Sequence, residues 1–264
     1  MSGAANRPGF YYRAFDDGLF ESSINAQGAW SPHEQHMAPV SGLMMRSIER
    51  CNPRPELQLA RVSFDILGMI PAGLFQISTR VIRPGRTIEL VEAEMVAEGR
   101  TAITARAWRL ADNETSSVAG LEEAPMPGVE ECEPYDGMAI WPGGFIETLE
   151  FRAAPGHRPG RARMWLRSNC DMVEGEDPSD LVRLTGMVDA ANGIATRVLP
   201  GPGSWVFPNV DLQLHFHRMP TGGWLGLDTR VTFGATGVGL TTSVLHDETG
   251  PFGRSEQILT LRKS

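Results

Sequence analysis

The sequence predicts an α+β fold in which one helix packs on an antiparallel sheet, built twice in tandem along the chain. Residues 71–85 (PAGLFQISTRVIRPG) can be laid on residues 220–234 (PTGGWLGLDTRVTFG) with a one-residue slip. The order of one helix followed by several strands also recurs around these two segments, which is typical of an internal duplication. Each repeat taken alone is a two-layer α+β unit.

The first predicted unit covers residues 1–111. Two short apolar runs at 11–15 and 19–23 flank the turn sequence DDG, a pattern typical of a hairpin. A helix is predicted over roughly 39–49, because its apolar residues recur every three or four positions and a proline suits its first turn. Four strands then follow, near 58–66, 73–83, 87–98 and 101–110.

The second predicted unit covers residues 138–264, after a linker at 112–137 that is rich in glutamate and proline and shows no periodicity. Its first strands are predicted at 145–151 and 163–166. Its helix is predicted from about Pro178, with Asp177 as the N-cap. The later strands are predicted at 210–217, 223–233, 238–247 and 254–261.

Composition limits the classes of partner. The 264 residues are 41% hydrophobic and 21% charged, as in ordinary globular proteins, and the net charge of -8 argues against nucleic-acid binding. No stretch approaches membrane-spanning length, and residues 1–10 lack the apolar core of a secretory signal. Cys51, Cys132 and Cys170 are an odd number without CxxC spacing, which favours a reducing compartment. We therefore expect a soluble cytoplasmic protein with no membrane partner.

Several segments resemble the type II acyl-CoA thioesterases, whose fold is a double hotdog. Residues 28–50 (GAWSPHEQHMAPVSGLMMRSIER) are similar to the loop and central helix of the first hotdog in that family, 209–218 (NVDLQLHFHR) to the strand after the second central helix, and 255–262 (SEQILTLR) to the closing strand. The resemblance implies two helix-in-curved-sheet units sharing one continuous sheet. It also implies hydrolysis of acyl-CoA in fatty acid metabolism, a homo-oligomer, and no cofactor beyond the coenzyme A of the substrate.

The resemblance also implies which residues form the site. In the family a carboxylate, a small polar residue and a glutamine hold the attacking water, and the matching positions here are Asp189, Asn209 and Gln257. A hydroxyl residue is usual in place of Asn209. Paired glycines are usual where this chain has Met37 and Ala38, whose backbone N–H groups are the implied oxyanion donors.

The same residues can be assessed without the family. Asp189 is the only ionisable residue between Arg183 and Arg197, and on a helical projection it lies beside an apolar arc. A carboxylate in that position is partly desolvated, which raises its pKa towards the range of a useful general base. Gln257 alternates with Leu259 along its strand, so we expect its side chain to face inward.

Two other groups of residues, four histidines and three arginines, have both a functional interpretation and a purely structural one. The four histidines His33, His36, His215 and His217 suggest a metal site, but hydrolytic metal sites also need carboxylate ligands at recognisable spacing, so no metal is predicted. A solvated or interface-facing strand is the commoner explanation for His215 and His217.

Three arginines are candidates for binding the coenzyme A phosphates. Arg80, Arg83 and Arg86 lie on or just after one predicted strand, where arginine can bind phosphate through two hydrogen bonds. Arginines on an exposed strand can also simply keep it solvated.

The function is therefore narrowed to three alternatives. The first is a thioesterase in which Asp189 activates a water. Hydratases and dehydratases share the hotdog fold, and fold alone does not decide the chemistry. The third is a weakly catalytic protein that binds acyl groups or acyl-CoA. The sequence has no GxSxG motif, so a serine hydrolase of the α/β type is not favoured.

Overall fold

The computed structural model describes residues 7–264, so the first six residues of the predicted first unit lie outside the described residues. The helices are α1 (Met37–Arg50), α2 (Gly144–Glu147), α3 (Asp180–Thr185) and α4 (Ala191–Ile194). The strands are β1 (Phe10–Ala14), β2 (Leu19–Ser22), β3 (Leu57–Ile66), β4 (Leu74–Arg83), β5 (Ile88–Ala97), β6 (Arg100–Ala111), β7 (Glu133–Tyr135), β8 (Leu149–Ala153), β9 (Arg161–Ser168), β10 (Asp171–Val173), β11 (Trp205–Val206), β12 (Asp211–Phe216), β13 (Leu225–Phe233), β14 (Val238–Asp247), β15 (Gly250–Thr260) and β16 (Arg262–Lys263). Among residues 7–264, none of the helices has the length and apolar character needed to cross a membrane.

Fourteen of these strands form one sheet, in the order β10-β1-β2-β4-β5-β6-β3-β12-β15-β14-β13-β9-β8-β7. The two halves meet where β3 pairs with β12 in antiparallel register, with Ser63 opposite Gln213. The prediction of a double hotdog with a continuous sheet is confirmed. The aligned repeats are β4 and β13, which occupy equivalent places on either side of this junction.

Most predicted strands are found within one or two residues of their expected ends, because each carries a clear alternation of buried and exposed side chains. The strand predicted over 145–151 was wrong in its first part, which is the short helix α2. A left-handed φ of 119° at Gly143 turns the chain there, and Gly144 lies so close to the Ile24 backbone that a Cβ could not fit.

The predicted linker, residues 112–137, contains ordered structure. Its strand β7 pairs with β8 at the edge of the sheet. Val129 and Cys132 are buried in a small cluster with Trp165 and Trp224. The segment therefore packs against the second half of the chain and extends its sheet.

The second central helix departs from its prediction. It starts with Ser179 as the N-cap, whose side chain accepts the Val182 N–H at 3.2 Å, and not with Asp177. It ends at Thr185, and a 3₁₀ turn at Val188–Ala190 separates it from α4. The Thr185 hydroxyl bonds back to the Leu181 carbonyl at 2.7 Å, which bends helices, and a glycine follows at once.

The apolar arc predicted for that helix is buried despite the break. Its six members have 5% of their surface exposed or less: Leu181, Leu184, Met187, Val188, Ala191 and Ala195. They join one continuous core with the buried face of α1 and the concave faces of both half-sheets. The helical spacing predicted this burial correctly. Both 3₁₀ and α geometry place these residues on similar sides of the chain, so the break does not expose them.

The two central helices touch at a pair of glycines. A Cβ placed on Gly42 of α1 would lie 2.8 Å from the Cα of Gly186, at the end of α3. The Ser41 hydroxyl also donates to the Thr185 carbonyl across this contact, at 3.1 Å. A side chain at Gly42 would therefore push α1 away from the end of α3.

Replacing Gly42 with valine tests this contact. We expect Gly42→Val to lower the free energy of unfolding by about 1–3 kcal/mol, since added atoms in a packed core force backbone shifts. Urea denaturation measures the change. Ser47→Val on the same helix, away from the glycine contact, is the control, and an equal loss in both variants would argue against a special role for the crossing.

Candidate active site

Asp189 lies in the 3₁₀ turn between α3 and α4, buried with 7% of its surface exposed. One carboxylate oxygen, Oδ1, accepts two amide hydrogen bonds. The Asn209 Nδ2 donates at 2.8 Å and the Gln257 Nε2 at 2.6 Å. The structure thus brings together the three residues that the sequence proposed. Asp189 comes from a turn, Asn209 lies two residues before β12, and Gln257 lies on β15.

Each partner is positioned by the sheet. Gln257 is inward-facing on β15 with 1% exposure, as its alternation with Leu259 predicted. Asn209 forms an isolated antiparallel bridge with Leu259, and its side chain also donates to the Asp211 carbonyl at 2.9 Å. Neither amide can turn away without losing bonds in a buried region, so the Asp189 carboxylate is held in one orientation.

Burial controls the pKa of Asp189. Loss of water raises the pKa from 3.8 to about 6, although the hydrogen bonds from Asn209 and Gln257 lower it in part. The group is therefore mostly ionised at pH 7 but can accept a proton readily, as a general base must.

His36 is the neighbour that the sequence did not place here. It is the N-cap of α1, and its Nδ1 lies 3.4 Å from the Oδ2 of Asp189. Burial lowers the pKa of His36 to about 4, so the ring is neutral at pH 7. Its ring packs on Phe145, with centroids 4.4 Å apart. The sequence offered one hint, since His36 belonged to the set of histidines weighed for a metal.

The hydrogen bond at the start of α1 decides the tautomer of His36. Its Nδ1 accepts the Ala38 N–H at 3.1 Å, so the ring proton lies on Nε2. Nδ1 and the Asp189 Oδ2 are then both acceptors, and the one lone pair of Nδ1 is already used by the Ala38 N–H. His36 therefore gives Oδ2 no hydrogen bond.

The predicted oxyanion donors are not equivalent. The Ala38 N–H is engaged by His36, so it is not free in this arrangement. Met37 is the first residue of α1, where a backbone N–H has no partner inside the helix. Its side chain lines a pocket that Asp189 also lines. Of the two predicted donors, Met37 is the one that the geometry leaves available.

Two pockets meet at Asp189. The first is lined mainly by aromatic and aliphatic side chains and includes about 650 Å³ with its open mouth. The second is wider, includes about 1260 Å³ with its open mouth, and has Arg262 of β16 on its wall. Five residues line both pockets and so form the junction: Ala29, Trp30, His36, Asp189 and Asn209. A ligand that fills both must pass the Asp189 carboxylate.

The arginines predicted for coenzyme A phosphates lie elsewhere. Arg80 pairs with Glu92 on the outer face of the sheet, with an Nε–Oε1 distance of 3.0 Å. Arg83 donates to the Ile88 carbonyl and stacks over Trp108, and Arg86 follows in the exposed turn between β4 and β5. None of the three lines either pocket at Asp189: Arg80 is on the face of β4 opposite the buried Phe75 and Ile77, and Arg86 lies beyond the end of that strand.

The histidines that suggested a metal are also dispersed. His215 and His217 lie at a separate surface pocket beside Arg254 and Glu123. Within the part of the chain that the structure describes, no three His, Cys, Asp or Glu side chains are grouped so that they could hold a metal ion.

The start of α3 is the counterpart of the start of α1, and an ion-paired carboxylate lies next to it. Arg46 of α1 binds Glu176 through its Nε at 2.6 Å, and Arg50 binds the same carboxylate at 2.8 Å. These side chains line a small pocket together with the α3 N-cap, Ser179. Glu176 is therefore paired with two arginines, whereas Asp189 is held by two amides.

The comparisons with known proteins agree with this architecture. The family model of the acyl-CoA thioesterase C-terminal domain matches residues 129–261, and the model of the N-terminal domain matches residues 26–110. The chain belongs to the acyl-CoA thioesterase family. It is therefore a thioesterase by family, and the two matched domains correspond to the two halves of its sheet. No curated protein matches the sequence significantly.

Solved structures share the fold at low sequence identity. A hot dog fold protein of unknown function from Alicyclobacillus acidocaldarius has a TM-score of 0.74 at 14% identity, covering 94% of this chain and 95% of its own. The acyl-CoA thioesterase II TesB2 from Mycobacterium marinum has a TM-score of 0.65 at 16% identity, covering 96% and 95%. The CurK dehydratase is more distant, with a TM-score of 0.53 at 12% identity and coverage of 97% and 96%.

The raised pKa of Asp189 predicts a stability cost. A carboxyl whose pKa is higher in the folded than in the unfolded chain stabilises the fold at low pH, and that contribution is lost as the pH rises through about 6. Asp189→Asn should therefore stabilise the protein at pH 8 by about 2–3 kcal/mol, since a shift of one pKa unit corresponds to about 1.4 kcal/mol. The gain should shrink towards pH 4.

Thermal unfolding at pH 8 and pH 4 measures this effect. The control is Asp211→Asn, because the Asp211 side chain accepts the Ile258 N–H near the surface and its amide analogue can do the same. A pH-independent loss of Tm in Asp189→Asn would contradict the burial argument.

Proposed function

We propose that the protein hydrolyses acyl-CoA thioesters with Asp189 as the general base. The observation that carries the proposal is a buried carboxylate, held by two amides and with its pKa raised to about 6, at the junction of two pockets. Such a group is positioned and poised to take a proton at neutral pH. The family membership gives the substrate class.

The two oxygens of the Asp189 carboxylate have different roles in this reaction. Oδ1 is occupied by Asn209 and Gln257, so Oδ2 takes a proton from the attacking water. The water oxygen then bonds to the carbonyl carbon of the thioester. The carbonyl oxygen becomes an oxyanion, which the Met37 N–H stabilises. When the C–S bond breaks, the proton on Asp189 passes to the sulfur of the leaving coenzyme A. No covalent intermediate is required.

Gln257 acts here as a positioning residue. It lines neither pocket, and its amide supports Asp189 from the side of the sheet. This differs from the role implied by the family resemblance, in which the glutamine holds the water itself. Asn209 lines both pockets and can contact the water as well as Asp189.

Removing the base tests the proposal. We expect Asp189→Asn to lower kcat by about 10²–10⁴-fold with little change in KM, because it removes a proton acceptor and little volume. The kcat/KM of the wild type should fall about tenfold per unit below pH 6, as Asp189 becomes protonated. Thiol release from a panel of acyl-CoA esters measures both. Asp211→Asn is the control, and the loss of turnover in this variant instead would move the base to Asp211.

Hydration or dehydration of acyl thioesters is a second candidate, favoured by one observation. The Nδ1 of His36 lies 3.4 Å from the Oδ2 of Asp189, so a carboxylate base and a histidine ring that carries its proton on Nε2 lie side by side, one from each half. Such a pair could remove a proton next to the carbonyl and protonate a departing hydroxyl. One of the dehydratase structures with this fold is a histidine-to-phenylalanine mutant described as inactive.

The variant His36→Phe separates the two reactions. If the protein is a thioesterase, His36→Phe should keep thiol release within about tenfold, because Asp189 and its two amides remain. If it is a hydratase, wild-type protein should add water to a 2-enoyl-CoA without releasing thiol, and His36→Phe should abolish that reaction. Thiol release and enoyl absorbance, followed in one sample, distinguish these results.

A further inference from the structure

We propose that the aromatic pocket beside Asp189 binds a compact acyl group that carries an aromatic ring, and that Trp141 sets this specificity. The inference rests on the proposed thioester hydrolysis and names the substrate class for the same site. It comes from the chemistry of the pocket wall, which the residues after the predicted linker largely form.

The pocket walls are mainly rings. Trp30, Tyr135, Trp141 and Phe151 line it together with the His36 ring, and Ile140, Ile146 and Ile194 fill the gaps between them. The space between these walls, about 650 Å³ with its open mouth, is partly open to solvent. Asp189 and Asn209 lie where it meets the second pocket, and Asn192 is a further polar residue of its lining.

The walls are fixed in place. The Trp141 Nε1 donates to the Gly193 carbonyl at 3.0 Å, and its ring meets Phe207 edge-on at 5.8 Å. The Phe151 ring packs so closely over Gly137 that a Cβ there would lie 2.6 Å from it. The pocket therefore cannot widen for a long flexible chain without breaking these contacts.

The second pocket is the better place for coenzyme A. It is wider and includes the exposed cation Arg262, whereas among the described residues that line the first pocket the neutral His36 is the one basic side chain. Phosphates need water or cations, and an acyl group needs apolar walls. The thioester then lies at the junction, beside the Oδ2 of Asp189.

An aromatic acyl group gains more from these walls than a straight chain of equal carbon number. Ring pairs in edge-to-face or offset geometry are stabilised beyond the burial of their area, whereas a straight chain gains from area alone. A ring also loses less rotational freedom on binding than an alkyl chain. Phenylacetyl and octanoyl groups have equal numbers of carbons, so comparing them isolates shape and stacking.

The test compares phenylacetyl-CoA with octanoyl-CoA. We expect the wild-type kcat/KM to favour phenylacetyl-CoA by about tenfold or more, and Trp141→Leu to reduce this preference about threefold to tenfold through loss of one ring contact. Trp108→Leu is the matched control, because Trp108 lies on β6 outside both pockets. Tyr135→Leu provides a second pocket variant if Trp141→Leu does not fold.

Binding measurements separate this inference from the proposed function. Calorimetry with the non-hydrolysable thioether analogues of the two esters, on wild type and on Asp189→Asn, measures the pocket preference without turnover. Tighter binding of the phenyl analogue without any thiol release from its ester would support the pocket and refute the hydrolysis. Equal or tighter binding of the octyl analogue, or an unchanged ratio in both pocket variants, would overturn the inference even if both esters are hydrolysed.

Discussion

The contact between the two central helices is the constraint on which the site depends. Gly42 and Gly186 allow α1 and α3 to touch backbone to backbone. This brings the start of α1, with His36 as its cap, next to the turn that carries Asp189. His36 and Asp189 come from different halves of the duplicated chain, so the contact between the helices controls their separation.

The same geometry places a carboxylate where it costs stability. Asp189 is surrounded by core residues and its pKa is raised by burial, which is unfavourable for folding at neutral pH but useful in a base. The cost is limited by Asn209 and Gln257, whose amides replace part of the lost water. Near the start of α3, by contrast, Glu176 is paired with Arg46, whose hydrogen bond holds the pKa of that carboxyl below its usual value.

The chain between the two halves has a role that a flexible linker could not have. Val129 and Cys132 anchor it on the second half, and β7 adds a strand to the sheet edge. Tyr135 then reaches the pocket wall, followed by Trp141, whose Nε1 donates a hydrogen bond to the Gly193 carbonyl of α4.

The unit boundaries, the oligomeric state and the cytoplasmic location stay predictions.

The sequence by itself determined the duplication, most of the strands and the convergence of Asp189, Asn209 and Gln257. These follow from local periodicity, from the repeated segment and from family motifs, all of which are carried by neighbouring residues. Only the tertiary structure decided the break after Thr185, the approach of His36 to Asp189, the outward position of Arg80 and the aromatic pocket around Trp141. The reason is physical: each of these depends on which surfaces pack together across the two halves, and a side chain's partners at long sequence separation leave no periodic signal in the chain.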